Sequence, residues 1–428
     1  MAGPGDHDFY GTRRWVTLAV STLASVCCGF FYAWSVLEKP MTAAHGWNSQ
    51  QLSLAFTLVV ALPAVMTLFA GKLLQYMRPP TLLLAAGAIL AAGTILLSFA
   101  TSAGTLYLFA FIAGVGGMTY PGATMSNLMR FFPDRRGTAS GVLTGGFGLG
   151  AVIWGPITVA LIDWVGYQWT LRMLGVLFFL IVAVCSRLLT VAPEGYSPRG
   201  WKKPAATKAT EAAFAGQDWK GMMRTVSFWL LFLVFVIGLT SGLGVTAHAS
   251  SIVQQMLKIS PEAAGAFVSY LAMGMVIGKV GWGALSDRVG RKPVLIVMLG
   301  LAIVALLVLW RSATYAPVVA GIFVVGICYG GFLALISPVS LDTFGGKHFS
   351  VNFGIMFLSV AVAAYAGPRL AAAVAAANGG AYKMAFLIAA AMTAAGLCLA
   401  VAHAVLSRPK PALVAPPPSP AGRGDGVS

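Results

Sequence analysis

The stretch GMVIGKVGWGALSDRVGRK, residues 274–292, is an apolar run with one basic residue inside it and a cluster of charges at its end. Lys279 lies near the middle of an apolar segment that extends over about residues 261–285, with no acidic residue within a helical turn. A cation inside a bilayer costs about 3 kcal/mol or more and is normally kept because it binds something. The stretch therefore predicts a membrane helix with a ligand-binding lysine.

The whole chain has the composition of a membrane protein. Of its 428 residues, 58% are hydrophobic and 9% are charged, whereas soluble domains carry about 25% charged residues. Apolar runs of about 20 residues, long enough to cross a bilayer as helices, recur twelve times. The predicted spans are 15–37, 50–75, 80–101, 105–130, 138–161, 167–190, 227–252, 261–286, 293–311, 315–341, 349–375 and 381–407. The expected fold is an all-α membrane protein with twelve transmembrane helices.

The basic residues are unevenly divided between the two sides of the predicted membrane. If the N-terminus, the loops after even-numbered spans and the C-terminal tail share one side, that side holds 21 of the 28 Lys and Arg residues and the other holds six. We call the first side the basic face and the opposite side the far face. Positive loops stay in the cytoplasm, which predicts cytoplasmic N- and C-termini in the inner (cytoplasmic) membrane. The net charge of +16 follows from this topology, so no nucleic-acid partner is expected.

The two halves of the chain repeat one another. FIAG at 111–114 matches FVVG at 323–326, and Gly71 matches Gly283, both at an offset of 212 residues. Such a repeat predicts two six-helix bundles with the substrate between them near the membrane midplane. The predicted divisions are an N-terminal bundle at 1–191, a cytoplasmic linker at 192–224, a C-terminal bundle at 225–407 and a disordered cytoplasmic tail at 408–428.

Three motifs resemble one known family. GALSDRVGRK at 283–292 resembles the signature G-x-L-x-D-R-x-G-R-K of the major facilitator superfamily. FFPDRRGTASGVLTGGFGLG at 131–150 and FYAWSVL at 31–37 are similar to the oxalate:formate antiporter and bacterial monocarboxylate transporter branch. The resemblance implies a carrier in which Asp287, Arg288 and Arg291 form a conformational latch. The first-half copy, GKLLQYMRPP at 71–80, departs from the family with Gln75 in place of Asp.

The same resemblance implies a substrate site. Lys279 falls where relatives carry a substrate-binding arginine, and the second cation of oxalate exchangers falls on Val360. The aromatic cavity positions of the family fall on Tyr32, Trp34, Phe147 and Tyr329. A phenol can donate a hydrogen bond to a carboxylate, while membrane aromatics also serve as packing or interface residues. Both interpretations are open for these four side chains.

The charges predict the sign and valence of the cargo. All twelve carboxylates lie at span ends, in loops or in tails, whereas a carrier of organic cations would need one inside the membrane. One intramembrane cation therefore predicts an anion. Arg369, nine residues after Val360, is half a turn out of phase on a helix, so a second cation for a dianion is missing. A monocarboxylate such as lactate or pyruvate fits better, and an oxalate/formate-type exchanger is the alternative.

The depth of Lys279 favours a central cavity. Asp287 marks the end of span 8, and eight residues place the lysine roughly 12 Å inside the membrane. We expect it to face water between the two bundles; a lysine packed on helix carbonyls is the structural alternative. Unlike arginine, a desolvated lysine can release its proton, which suggests that anion and proton load together. His248 in span 7 is a second candidate proton carrier, or else a hydrogen-bonded packing residue.

Enzyme chemistry is not indicated. The chain has no HExxH motif, and its five cysteines show no metal-ligand spacing. A polytopic membrane enzyme is thus the weaker alternative to a secondary active transporter that works by alternating access. The expected partners are a small organic anion and the lipid bilayer, with no cofactor and no metal, and the chain is expected to be a monomer.

Overall fold

The computed structural model describes residues 4–60, 65–193, 195–198, 201 and 216–407, and within these ranges the chain forms helices and no strands. The helices are α1 Pro4–Cys28, a 3₁₀ turn Gly29–Ala33, α2 Ser35–His45, α3 Ser49–Val60, α4 Met66–Leu73, α5 Pro79–Leu97, α6 Ala103–Phe131, α7 Arg136–Leu188, α8 Trp219–Met223, α9 Val226–Leu257, α10 Pro261–Val289, α11 Arg291–Arg311, α12 Tyr315–Phe344, α13 Phe349–Ala377 and α14 Lys383–Leu406. The predicted tail at 408–428 and residues 202–215 of the predicted linker lie outside the described residues.

These helices provide the twelve predicted spans. In the described part of the chain, nine helices are individually long and apolar enough to cross a membrane. One of them, α7, supplies spans 5 and 6, because Gly166 has φ 78° and interrupts the helix. Span 2, made of α3 and α4, and span 8, which is α10, complete the set. The predicted all-α, twelve-helix fold is confirmed.

Local signals fix the ends of the spans. Pro79 opens α5, where its missing N–H costs nothing. Ser102 caps α6 in a capping box with Thr105, and the Thr225 side chain accepts from the first turn of α9. Gly46, with φ 69°, ends α2 in the left-handed conformation. Fixed ends set the depth at which each inner side chain lies.

The two six-helix halves pack in the same way. Span 1 packs on span 5 and span 7 on span 11, while span 3 packs on span 6 and span 9 on span 12. Small residues bring these helices together: a Cβ on Gly150 would lie 2.5 Å from Cα of Gly29, and one on Gly367 would lie 2.7 Å from the Thr240 carbonyl oxygen. The predicted two-repeat architecture is therefore present in the packing as well as in the sequence.

The two halves meet along the basic face. A Cβ on Gly137 of span 5 would lie 2.2 Å from the carbonyl oxygen of Gly283 in span 8. Spans 2 and 11 repeat this contact, since a Cβ on Gly71 would lie 2.3 Å from the Ser350 carbonyl oxygen. Gly71 and Gly283 are the pair related by the offset of 212 residues. On the far face, α2 and α3 pack mainly on their own half, so the structure is closed at its basic face.

Replacing Gly137 by alanine is expected to separate the halves at the basic face, because no backbone atom of Gly283 can tolerate a methyl group at that distance. Spin labels at the exposed residues Tyr76 and Val289, one in each half, report the separation by pulsed electron paramagnetic resonance in a cysteine-free background. We expect a longer mean distance in Gly137→Ala than in the parent.

Gly155→Ala is the matched control, because Gly155 lies in the same helix and an added Cβ there meets nothing within 4 Å. It should leave the distance distribution unchanged. A Gly137→Ala variant that matched the parent would contradict the close approach of spans 5 and 8.

Candidate functional site

Lys279 lies at the interface between the two halves. Its residue is 1% exposed, and its Nζ donates to the carbonyl oxygen of Thr144 at 3.0 Å. Thr144 belongs to span 5 of the first half, whereas Lys279 belongs to span 8 of the second. The expectation that Lys279 faces water between the bundles is therefore wrong for this conformation, and the structural alternative is present: the ammonium is packed on a backbone carbonyl across the interface.

Glycines of span 5 make room for this side chain. A Cβ on Gly141 would lie 2.1 Å from the carbonyl oxygen of Lys279, and one on Gly148 would lie 2.7 Å from Val276 and 3.9 Å from Nζ of the lysine. No Asp or Glu among the described residues is buried. An ammonium has three donors, and in the described structure one protein acceptor, the Thr144 carbonyl, engages it. The other two N–H groups have no protein acceptor among the described residues.

The aromatic candidates of the first half lie on spans 1 and 5. Phe147, one residue before Gly148 on span 5, is 8% exposed, and its ring packs edge-on against that of Tyr120 with centroids 6.3 Å apart. Trp34 follows the 3₁₀ turn, is 3% exposed and has a buried Nε1 with no hydrogen-bond partner in the described structure. The side chain of Tyr32 lies outside the described residues. Phe147 lies one helical turn after Thr144 on span 5, and its ring contacts Tyr120.

The two second-half candidates lie apart from each other. The ring of Tyr329 packs on span 7, where a Cβ on Gly242 would lie 2.7 Å from it. His248 is 3.1 Å from the carbonyl oxygen of Pro368 through Nε2, and its ring lies 5.4 Å from that of Tyr382. Because Tyr382 precedes span 12 at the far face, His248 is not part of the Lys279 environment.

Asp287 joins the halves at the basic face. Its Oδ1 accepts from the backbone N–H of Gly137 at 2.8 Å, and its Oδ2 accepts from the N–H and Oγ1 of Thr138 at 2.8 and 2.7 Å. These groups form the first turn of span 5, where a carboxylate is stabilised by the helix dipole. Arg291 binds the same carboxylate at 2.9 Å.

A second carboxylate, which the sequence did not single out, completes this cluster. Asp342 at the end of span 10 pairs with Arg291 at 2.9 Å and with Arg136, the first residue of span 5. Arg136 and Asp342 are 206 residues apart, so only their shared position at basic-face span ends could have suggested the pair. We call Asp287, Arg291, Asp342 and Arg136, with the first turn of span 5, the basic-face clip.

Arg288 does not join the basic-face clip. Its side chain is exposed and takes part in no ion pair in the described structure. Of the three residues proposed as a latch, Asp287 binds the first half directly, and Arg291 binds Asp287 and Asp342.

The first half lacks an equivalent carboxylate. Span 11 starts after His348, which provides no side-chain cap, and the contact nearby is a hydrogen bond of 2.9 Å between Ser350 and Ser126. The substitution at Gln75 has a structural counterpart: Asp287 binds the start of span 5 through its carboxylate, whereas the start of span 11 contacts span 4 of the first half through the two hydroxyls.

Comparison with known proteins agrees with this geometry. A family model described as Major Facilitator Superfamily matches residues 18–256 and 237–425. The oxalate:formate antiporter of Oxalobacter formigenes is 27% identical over 391 residues, which cover 88% of each chain. The MFS-type transporter YhjX of Escherichia coli (strain K12) is 24% identical over 361 residues, covering 82% of this chain and 86% of YhjX.

Solved structures show the same fold. The Escherichia coli fucose:proton symporter FucP, in a single-substitution variant, superimposes with a TM-score of 0.70 at 14% identity, covering 92% of this chain and 99% of FucP. The human organic anion transporter MFSD10 superimposes with a TM-score of 0.69 at 15% identity, covering 90% and 99%. A family match over both repeats, on a twelve-helix membrane fold, identifies a transporter rather than a membrane enzyme. The chain belongs to the Major Facilitator Superfamily.

Proposed function

We propose that this transporter moves a small monocarboxylate anion, such as lactate or pyruvate, across the cytoplasmic membrane by alternating access. The observation that carries the proposal is Lys279, the one Lys or Arg that is buried in the described part of the chain. It lies at the inter-half interface, where carriers of this architecture hold their cargo. Lys279 forms no ion pair with a carboxylate among the described residues, so its natural partner is an anion.

The ammonium couples cargo to conformation. A carboxylate that takes the two free N–H groups of Lys279 competes with the Thr144 carbonyl for the third. Since that carbonyl belongs to the other half, a stronger partner for the lysine weakens a contact that closes the basic face. Cargo binding then changes the balance between the two conformations, as differential affinity requires.

The basic-face clip is the proposed latch. With the basic face in the cytoplasm, which the distribution of Lys and Arg supports, the clip closes the cytoplasmic side. Asp287 binds the start of span 5, and Arg291 binds Asp287 and Asp342. Asp342 in turn pairs with Arg136 of the first half. We assign Arg288 no part in the latch; it contributes to the positive charge of the basic face, which orients the chain in the membrane.

Proton coupling through Lys279 is part of the proposal. A buried lysine can release its proton, which an arginine does not. The empty carrier then returns without a net charge at the interface, and anion and proton enter together. His248 lies near the far face beside Tyr382, so any part it plays would be in proton entry rather than in contact with the cargo.

An oxalate/formate-type exchanger is the second candidate, favoured by the similarity to the Oxalobacter formigenes antiporter. A dianion calls for a second cation, and the candidate Arg369 is exposed, with its guanidinium 3.8 Å from the ring of the exposed Tyr365. Val360 supplies no charge in its place. The charge balance therefore favours a monoanion.

Uptake into proteoliposomes tests the cargo. We expect saturable uptake of labelled lactate or pyruvate, with little uptake of oxalate. Lys279→Gln should lower the apparent affinity at least ~30-fold, since loss of one partner of a buried charge pair costs about 2–5 kcal/mol. Lys347→Gln, at an exposed lysine, is the matched control. Oxalate counterflow that exceeds lactate uptake would replace the proposal by the exchanger.

The pH of the medium outside the same vesicles tests proton coupling. Uptake of the monocarboxylate should alkalinise this medium, because each anion takes a proton with it. Lys279→Arg, whose side chain stays charged, is expected to take up the anion without a proton. Uptake by the parent protein without alkalinisation would exclude symport and leave uniport or exchange.

The latch is tested by Asp287→Asn. Hydrogen bonds to charged groups contribute about 1.5–3 kcal/mol each, so the variant should open the basic face and raise the rate of maleimide labelling at Ser350→Cys roughly tenfold or more. Ser350 lies in the contact with Ser126 of the other half. Arg288→Gln should leave the rate unchanged; equal rates in Asp287→Asn and the parent would refute the latch.

A further inference from the structure

A cavity with a mainly apolar lining and one charged wall lies within the second half, apart from the Lys279 interface. It has a volume of about 250 Å³ and is formed by spans 7, 9, 10 and 12 at the basic face. Its polar wall contains Gly290, Arg291 and Lys292 from the start of span 9, Asp342 from span 10 and His403 from span 12. Neither the transport path nor the family resemblance gives this cavity a role.

His403 is the first sign of a ligand. The residue is 4% exposed, and its Nε2 is buried without a hydrogen-bond partner in the described structure. Buried polar groups are nearly always paired, so an unpaired imidazole nitrogen in a cavity wall needs a partner from outside the chain.

The start of span 9 is the second sign. Gly290, with φ 98°, precedes the 21-residue helix and provides no side-chain cap. The first turn therefore keeps two uncapped N–H groups, those of Arg291 and Lys292, since Pro293 has none, and the start of a helix favours an anion. Lys292 Nζ donates to the carbonyl oxygen of Ser407 at 3.1 Å, which uses one of its three donors.

The local charge also favours an anion. Asp342 is the one carboxylate in the described cavity wall, and it is already paired with Arg291 and Arg136. Counting Asp287 with its partner Arg291, two carboxylates face three cations, the third being Lys292. One further negative charge balances the group.

We propose that this cavity binds a small oxyanion of the phosphate class, either free phosphate or the phosphomonoester headgroup of a lipid. Its volume is below the roughly 300–1,000 Å³ of pockets for larger ligands, which favours a small anion. Arg291 belongs to both the cavity and the basic-face clip, so the bound anion reinforces the contact that closes this face. The site does not depend on the identity of the transported cargo.

Thermal unfolding of the delipidated full-length protein, followed by tryptophan fluorescence, tests the site. Inorganic phosphate, titrated against chloride at constant ionic strength, should raise the Tm of the parent saturably by about 3 °C or more. His403→Leu and Lys292→Gln should each abolish this rise. The leucine variant removes an unpaired polar group, so it is expected to fold. A parallel arm in phosphatidylcholine nanodiscs, with and without phosphatidic acid, tests the lipid source.

Two controls separate this site from others. Lys347→Gln changes an exposed lysine of a different basic-face cleft, and Lys279→Gln changes the transport site; both should keep the full phosphate effect, even if the proposed cargo is wrong. A rise in Tm with phosphate that His403→Leu and Lys292→Gln abolish supports a free anion. A rise in Tm that occurs only with phosphatidic acid, and that the same variants abolish, supports a lipid headgroup. No rise in either arm, or a rise that His403→Leu and Lys292→Gln retain, overturns the proposal.

Discussion

Burial of one ammonium group between two six-helix bundles is the constraint on which the rest of this transporter depends. Taking an ion out of water costs several kcal/mol unless other charges or hydrogen bonds replace the lost solvation. Lys279 recovers only part of that cost, through one carbonyl at 3.0 Å in the described structure. The glycines of span 5 keep the helices close enough for that bond. An interface that holds an under-solvated cation in this way is the basis of the proposal that the cargo is an anion.

The two repeats share a fold but fasten differently. Gly71 and Gly283 occupy equivalent positions and each touches the opposite half through its backbone. Beside Gly283, the carboxylate of Asp287 binds the start of span 5, whereas beside Gly71 the start of span 11 has no such cap. A charged contact strengthens in low dielectric and a hydroxyl contact less so. Opening at the basic face is therefore expected to be resisted mainly along spans 5 and 8, the helices that also hold the lysine.

Much of the fold could be predicted from the sequence because bilayer thickness leaves little choice. Twelve apolar runs, a constant offset and a skew in Lys and Arg were sufficient for the span count and the two-fold repeat. The depth of Lys279 also followed from helix rise alone. Its partner did not, because a backbone carbonyl such as that of Thr144 carries no residue-type signal. The Arg136–Asp342 pair was missed for a related reason: a contact over 206 residues depends on how two bundles dock. The place of His248 likewise depends on a helix rotation that the sequence does not specify.

The proposed cargo site and the proposed latch contact the same pair of helices. Asp287 and Lys279 lie eight residues apart on α10, roughly 12 Å along the axis, and bind α7 at Thr138 and Thr144 respectively. These helices run in opposite directions, so the Asp287 contact lies near the basic face and the Lys279 contact lies deeper in the same interface. A hydrogen bond to a charged group is worth about 1.5–3 kcal/mol, and a shift of about 1.4 kcal/mol changes a conformational equilibrium tenfold. If the cargo is an anion that displaces the Thr144 carbonyl from Lys279, as proposed, the population of the open basic face changes by an order of magnitude or more, and the basic-face clip sets the starting value of that equilibrium.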